Sequence, residues 1–329
     1  MSAVSTAEEK YLVVKANGGM GNRMLCATTG ILYGRLTGRR VIVDWRDQAY
    51  SNDGSNTFSR LFKCSDVCSE TILPADASIY PRVWEGHLDW SVSEMLHRYD
   101  PDKHSSVTIH RKYSIDVRTL DYPERIVVFW NYLHRLRGLR KRLHRVDPDF
   151  AGLGIDGIIR KVLLEIMLVG DDVRQRIDEF KASHWPAQVI GLHIRHSDRQ
   201  TDLSKYERPL GRLLEQYPDA HIFLATDNKG VQEDYCRRYE NVFFTPKWFP
   251  EGMESMHQNT QCSDRVANGI EALVDMYLLA ECDFLIFPGV STFSLISAIL
   301  SKASANRIVD IDRFNLRVRL KRMVRELIW

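Results

Sequence analysis

Strand, glycine turn, helix and strand follow one another between residues 11 and 45, and that order leaves few folds open. Residues 11–16 (YLVVKA) form a short, apolar, β-branched run. The turn Asn17-Gly18-Gly19-Met20-Gly21-Asn22 comes next, then a helical stretch over 23–36 closed by Gly38, then a second strand over 40–45 (RVIVDW). Two strands joined through a helix lie parallel, and parallel sheets carry helices on both faces. The fold class is therefore α/β.

The chain has 329 residues, more than the ~250–300 at which a single core stops growing, so two domains are expected. From residue 46 to 123 polar stretches break up short apolar pieces, as loops and insertions around a first domain would. A strand over 125–130 and helices over 131–146, 155–169 and 171–182 follow, and Pro186 ends the last. A cleaner alternation then begins. Strands are expected over 189–194, 221–225, 241–244, 284–287 and 307–310, with helices over 203–216, 231–239, 269–280 and 291–301. This is a doubly wound, nucleotide-binding type of domain, whose ligands sit beyond the carboxyl ends of the strands. The expected division is 1–183, 184–312, and a basic helical tail over 313–329.

Basic and acidic residues number 45 and 43, a formal charge of +2, so nothing in the whole-chain balance points to nucleic acid; any anion preference has to be local. The first ten residues lack the apolar core of a signal peptide, and no run reaches the roughly 18 apolar residues of a spanning helix. A cytoplasmic location with the six cysteines reduced is the expectation. Cys64 and Cys68 lack a second Cys/His pair at zinc-site spacing, so no metal is expected.

Four groups fall just after expected strand ends. Asn17 to Arg23 offers glycines through which backbone N–H groups can approach an anion at a helix start, although glycine clusters are also plain turns. His193-Ile194-Arg195-His196-Ser197-Asp198-Arg199 leaves a strand in which His193 and Arg195 share a face. A permanently charged planar guanidinium suits a diphosphate, and two histidines, two arginines and an aspartate in seven residues make a purely structural ion pair the weaker explanation. Ala225-Thr226-Asp227-Asn228 can contact a base, but Thr-Asp reads more simply as a helix N-cap. The helix bearing Asp275 leads through a buried strand to Gly289-Val290-Ser291-Thr292, where Ser291 is a phosphate ligand or only a cap.

In this order the motifs resemble the α-1,6-fucosyltransferase family, with the protein O-fucosyltransferases more distant. The resemblance is carried by Gly18 to Arg23, Thr37 to Trp45, Gly191 to His196, Phe223 to Asp227, and Asp275 to Phe284 running into Ser291. It covers both ends of the chain and leaves 63–169 poorly matched. It is stronger to the bacterial nodulation branch than to the animal core branch, on Thr37-Gly38-Arg39 before Val43-Asp44-Trp45-Arg46 and on His193-x-Arg195-His196.

The resemblance implies two Rossmann-like domains of glycosyltransferase type B, a GDP-fucose donor, a glycan acceptor, inversion at the anomeric carbon and no metal or other cofactor. It gives Arg195 the β-phosphate, His193 and Asp275 the nucleoside, and Ser291 a phosphate. Gly19, Gly21 and Asn22 would line the donor cleft, and Arg23, His196, Thr226, Asp227 and Thr292 join the donor side through the motifs that contain them. An inverting transfer needs a base for the acceptor hydroxyl. Asp202 is preferred to Asp198, although the glutamate position of the animal enzyme falls here on Leu203. Asp310-Ile311-Asp312 could suggest a metal pair but matches a plain strand end in the family. The rivals are another sugar nucleotide used in polysaccharide assembly on the same fold, and a non-catalytic glycan-binding protein. An intact Arg195 speaks against the second.

Two basic segments stand outside this scheme. Residues 131–146 place Tyr132, Leu136, Leu139, Leu143 and Val146 on one stripe, with Arg135, Arg137, Arg140, Lys141, Arg142 and Arg145 elsewhere, and 314–327 is similar. A packed stripe with a solvated basic face explains both. The sharper alternative is contact with anionic lipid at the inner membrane face, or with an anionic acceptor.

Overall fold

The computed structural model describes residues 8–68, 72–102, 109–197, 201–251, 256, 261–315 and 320. The first half runs β1 (Tyr11–Lys15), α1 (Met20–Thr37), β2 (Arg40–Asp44), α2 (Phe58–Leu61), β3 (Phe62–Lys63), β4 (Ile79–Tyr80), α3 (Val92–Tyr99), α4 (Ile109–Tyr113), β5 (Ile126–Phe129), α5 (Leu136–Val146), α6 (Ile155–Lys161), β6 (Leu168–Val169) and α7 (Asp171–His184). The second runs β7 (Val189–Ile194), α8 (Ser204–Gln216), β8 (His221–Thr226), α9 (Lys229–Arg238), β9 (Val242–Phe243), α10 (Arg265–Glu281), β10 (Phe284–Phe287), α11 (Thr292–Leu300) and β11 (Ile308–Asp310).

Two parallel sheets result, in the orders β2-β1-β5-β4 and β11-β10-β7-β8-β9. Each first strand lies inside its sheet: β1 pairs with β2 and β5, and β7 with β8 and β10. The winding therefore reverses at β1 and at β7. A crevice opens at the carboxyl end of the strand where such a sheet reverses. Residues 16–19 leave β1 there, and residues 195–197 leave β7.

Helix α1 is buried almost all round: from Met20 to Gly34 every residue but Asn22 is buried. A helix apolar on all sides belongs between layers. One apolar cluster joins α1 to the inner faces of both sheets and to α5, α6, α10 and α11, through Val14, Met24, Phe129, Phe223, Leu273, Leu285 and Ile296 among others. The outer faces have clusters of their own, around Trp84 and Trp130 in the first half and Tyr206 and Leu210 in the second. Helix α7 precedes the expected boundary yet packs on the second sheet, with the Phe180 ring 6.0 Å from Phe223 and 6.1 Å from Phe243.

Polar ties reinforce the contact between halves. The Arg160 guanidinium donates to the carbonyls of Ile299 (2.9 Å) and Ser301 (2.8 Å), closing the end of α11. Arg265 donates to the Gln48 carbonyl through its side chain and to Asn52 Oδ1 through its amide (2.9 Å).

Three expectations change. The helix expected over 131–146 begins only at Leu136, because Asn131 Oδ1 accepts from the Leu133 amide (3.2 Å) and shapes a turn first. Its stripe is Leu136, Leu139 and Leu143; Val146 is 65% exposed. Arg137, Arg140, Lys141 and Arg145 form a solvated face. The helix expected over 155–169 widens into a π-turn at Val162–Ile166 and ends as β6, whose Val169 and Leu168 pair antiparallel with Phe62 and Lys63 of β3. Of the tail, residues 316–319 and 321–329, with Arg317, Arg319, Lys321, Arg322 and Arg325, lie outside the described residues, as does Asp198. No helix among the described residues is long and apolar enough to cross a membrane.

Candidate active site

The two reversal points face each other. At the first, Asn17 Oδ1 accepts from the Gly18 amide (2.7 Å), and Gly18 takes φ 81°, a left-handed conformation that favours glycine. Helix α1 starts at once behind Gly19, with no side-chain cap and no acid in its first turn. Beside the second, after the neighbouring strand β10, α11 starts behind Ser291, also without a side-chain cap. The starts of α1 and α11 touch: a Cβ on Gly21 would lie 2.5 Å from the carbonyl carbon and oxygen of Thr292, so only glycine fits. The Thr292 hydroxyl donates to Asn22 Oδ1 across the same contact.

Between them lies a cleft whose empty space, including the part open to solvent, is about 770 Å³. Gly19, Gly21, His193, Arg195, Thr226, Asp227, Asp275 and Thr292 line it, as do Tyr50, Lys247, Asn268, Glu271 and Phe293. Arg195 stands half-buried just beyond β7. His193 is 7% exposed, with its ring on Phe293 at 4.9 Å and its Nδ1 buried without a partner. Burial pushes its pKa down to about 3, helped by the charges of Arg195 and Lys247, so the imidazole is neutral.

The other expected residues take several positions. Arg23 is buried beneath the turn: Nη2 meets Asp47 at 2.5 Å, Nε donates to the Gly18 carbonyl at 2.8 Å, and the guanidinium covers the Tyr50 ring at 5.0 Å. It shapes the cleft floor rather than lining it. Asp227 is not the helix cap. Its Oδ1 accepts from the His196 amide (2.7 Å) and its Oδ2 from the Ser197 hydroxyl (2.6 Å), while Asn228 caps α9 through the Val231 amide (3.0 Å). Thr226 Oγ1 accepts from the Asn228 amide (3.2 Å). The loop after β7 is thus fastened to the end of β8. The His196 ring turns to the Thr201 carbonyl (3.3 Å).

Asp275 is buried and already engaged. Thr245 donates to its Oδ1 at 2.5 Å, and Lys247, its side chain 3% exposed, pairs with its Oδ2. Ser291 is 3% exposed and its hydroxyl has no partner among the described residues, so it does not cap α11. Asp202 is exposed, away from the cleft lining, and accepts from the Ser204 amide (3.1 Å) and hydroxyl (2.7 Å). Those bonds hold its carboxyl below the usual range. Asp310 Oδ1 accepts from the amides of Gly289 (2.8 Å) and Asp312 (2.9 Å), ordering the turn that leads to Ser291. No three His, Cys, Asp or Glu side chains among the described residues are grouped to hold a metal ion.

Lys247 and Glu271 are additions that the motifs did not yield. Lys247 comes from a loop without regular pattern. Glu271 had a signal, because it precedes Asp275 by one helical turn and so shares its face. Its Oε2 accepts from the Trp248 amide (3.3 Å), and burial raises its pKa against the opposing pull of that amide and of Lys247.

The family model described as nodulation protein Z matches residues 155–323. The chain belongs to the nodulation protein Z family. Nodulation protein Z of Azorhizobium caulinodans is 24% identical over 341 residues, covering 93% of this chain and 92% of the relative. That of Bradyrhizobium diazoefficiens is 22% identical, covering 93% and 82%. The crystal structure of a NodZ α-1,6-fucosyltransferase soaked with GDP-fucose superposes with TM-score 0.59 at 20% identity, covering 89% of this chain and 93% of that one. The resemblance drawn from the motifs holds. In this member of the nodulation protein Z family the matched span takes in the whole second sheet, with His193, Arg195, Asp227, Asp275, Ser291 and Thr292; Gly19, Gly21 and Asn22 lie outside it.

Proposed function

We propose that this chain is an inverting glycosyltransferase that moves fucose, or a related deoxyhexose, from GDP-fucose to a glycan acceptor. One observation carries it: a cleft between the reversal points of two parallel sheets, with Arg195 on its wall and the buried His193 beside it. Membership of the nodulation protein Z family and the likeness to a NodZ α-1,6-fucosyltransferase soaked with GDP-fucose support the donor. The halves then act as two Rossmann-like domains of type B, 1–183 and 184–312, followed by the basic tail over 313–329.

In this scheme the departing nucleoside diphosphate gathers negative charge as the glycosidic bond breaks, and Arg195 meets it with a charge fixed in advance. His193 offers a polar ring nitrogen without adding charge. The unpartnered Ser291 hydroxyl, at the start of α11, is a donor for a phosphate oxygen. The Asn22–Thr292 bond holds the two glycine-edged walls at a fixed spacing. Cationic side chains take the place that a divalent ion fills in other transferases, and we propose that turnover persists in chelator.

A thermal-shift panel of GDP, UDP, CMP and ADP tests the donor. GDP at a hundred times its Kd stabilises by about 2.7 kcal/mol, and the other nucleotides are expected to give far smaller shifts. A larger shift with UDP, CMP or ADP would replace GDP-fucose by another sugar nucleotide.

A further inference from the structure

We propose that His87, Trp90 and Tyr99 form a stacking subsite for a sugar ring of the acceptor, beside the carboxyl end of β1. This rests on the transferase reading. None of the three rings lines the donor cleft; His87 and Trp90 are half-buried and Tyr99 is exposed. The His87 and Trp90 rings lie 4.3 Å apart, and Trp90 and Tyr99 lie 6.4 Å apart with planes inclined by only 21°. The Tyr99 hydroxyl meets His87 Nε2 at 3.0 Å, and Tyr99 remains 42% exposed.

The loop that carries His87 and Trp90 is fixed by an uncommon device. Lys15, only 2% exposed, donates from Nζ to the carbonyls of Leu88 (2.5 Å) and Trp90 (2.8 Å) while pairing with Asp44 at 2.6 Å. A buried ammonium is costly to place, and here it holds a surface loop in one geometry. A capping box then starts α3 directly after Trp90: the Ser91 amide donates to Glu94 (2.6 Å) and the Glu94 amide to the Ser91 hydroxyl (3.2 Å). Tyr99 ends that helix, so both sides of the platform are set by rigid elements.

Position supplies the link to the reaction. Lys15 is the last residue of β1, two residues before the turn that opens the donor cleft. The Ser93 hydroxyl bonds Asn17 Oδ1 in that turn at 3.4 Å. The platform thus hangs on the chain segment that leads into Gly19 and Gly21. A pyranose shows C–H groups on its faces and hydroxyls round its edge. Exposed Asp89 and Ser93 adjoin Trp90 in the sequence and offer polar groups beside the aromatic rings, which a purely apolar ligand would leave unused.

The test applies the full chain, with GDP present, to an array of neutral and acidic glycans, and records the GDP thermal shift in parallel. Trp90→Ala and Tyr99→Ala are each expected to weaken glycan capture by roughly tenfold or more, with Tyr99→Phe retaining it and the GDP shift unchanged in all three. In transfer assays the acceptor KM rises and the donor KM does not. Trp90 also touches the cluster behind the sheet, so Tyr99→Ala, on the exposed ring, decides the matter if Trp90→Ala unfolds. Undiminished capture by Tyr99→Ala overturns the subsite, and so does a wild type that takes up GDP but no glycan. Tyr99-dependent capture without any GDP shift would keep the subsite and remove the donor assignment.

Discussion

Charge in the cleft is distributed so that few groups are left to act. Of the lining carboxylates, Asp227 accepts two bonds from the loop after β7, and Asp275 is taken by Thr245 and Lys247. Among the described residues Glu271 has the long bond from Trp248, and burial has raised its carboxyl pKa. A base must be ionised to work, so if Glu271 takes the acceptor proton, kcat falls as pH drops through a pKa above the ordinary carboxylate range. Glu271→Gln is expected to abolish that acidic limb and to lower kcat by roughly a hundredfold or more, leaving the donor KM unchanged. A raised carboxyl pKa stabilises the fold at low pH, and that contribution is lost as pH rises through the folded value, so the glutamine variant melts no lower at neutral pH. A normal kcat with a raised donor KM would instead make Glu271 a nucleotide contact. Arg195→Ala is expected to cost about 10²–10³-fold in kcat with little change in melting temperature, as measured by transfer assay and calorimetry. Wild-type turnover in that variant would remove Arg195 from the chemistry.

At the level of elements, the approach of α1 to α11 sets the width of the cleft. Gly21→Ala brings a methyl group to 2.5 Å from the Thr292 backbone, where no side chain can swing away. Overpacking of this kind costs about 1–3 kcal/mol, and the displaced Thr292 should also weaken GDP binding. An unchanged melting temperature and GDP affinity would show that the two helix starts are free to part. How much of this was readable from the chain depends on range. Strands β7 and β10 fall where the apolar runs put them, because a central parallel strand is buried on both faces and its whole length is hydrophobic. Helix α1 begins at Met20 rather than residue 23, since packing against Thr292 lets a Met-Gly pair enter the helix. The sequence pattern gives helix at β6 because its partner β3 lies more than a hundred residues away in sequence, and local periodicity carries no trace of that pairing. For the site, the residues at strand ends were legible through the rule that such sheets bind there. Lys247 was not, because a loop side chain is aimed by tertiary contacts alone, and neither was the engagement of Asp275 that it causes.

The whole molecule is less divided than its two sheets suggest. Domains that meet over a small polar interface move and melt separately. Here the layer between the sheets is itself the main core: Met24 and Ile31 of α1, Leu273 and Met276 of α10 and Ile296 of α11 belong to one cluster with Val14 of the first sheet and Phe223 of the second. Pulling the halves apart would expose α1 on the side facing α10 and α11, and a helix apolar all round has no face to offer water. Scanning calorimetry should therefore give one transition, with equal calorimetric and van't Hoff enthalpies, and GDP should move the whole of it upward. Two resolved peaks, or a GDP shift confined to one of them, would mean that the shared cluster couples the sheets weakly. A single peak has a consequence for turnover. If the halves cannot part without unfolding the core, donor entry and release fall to the loop that carries Lys247 along the cleft wall, and substitution of Pro246 or of the Trp248 side chain, which leaves the Thr245 and Lys247 bonds to Asp275 in place, should change product release with little change in melting temperature.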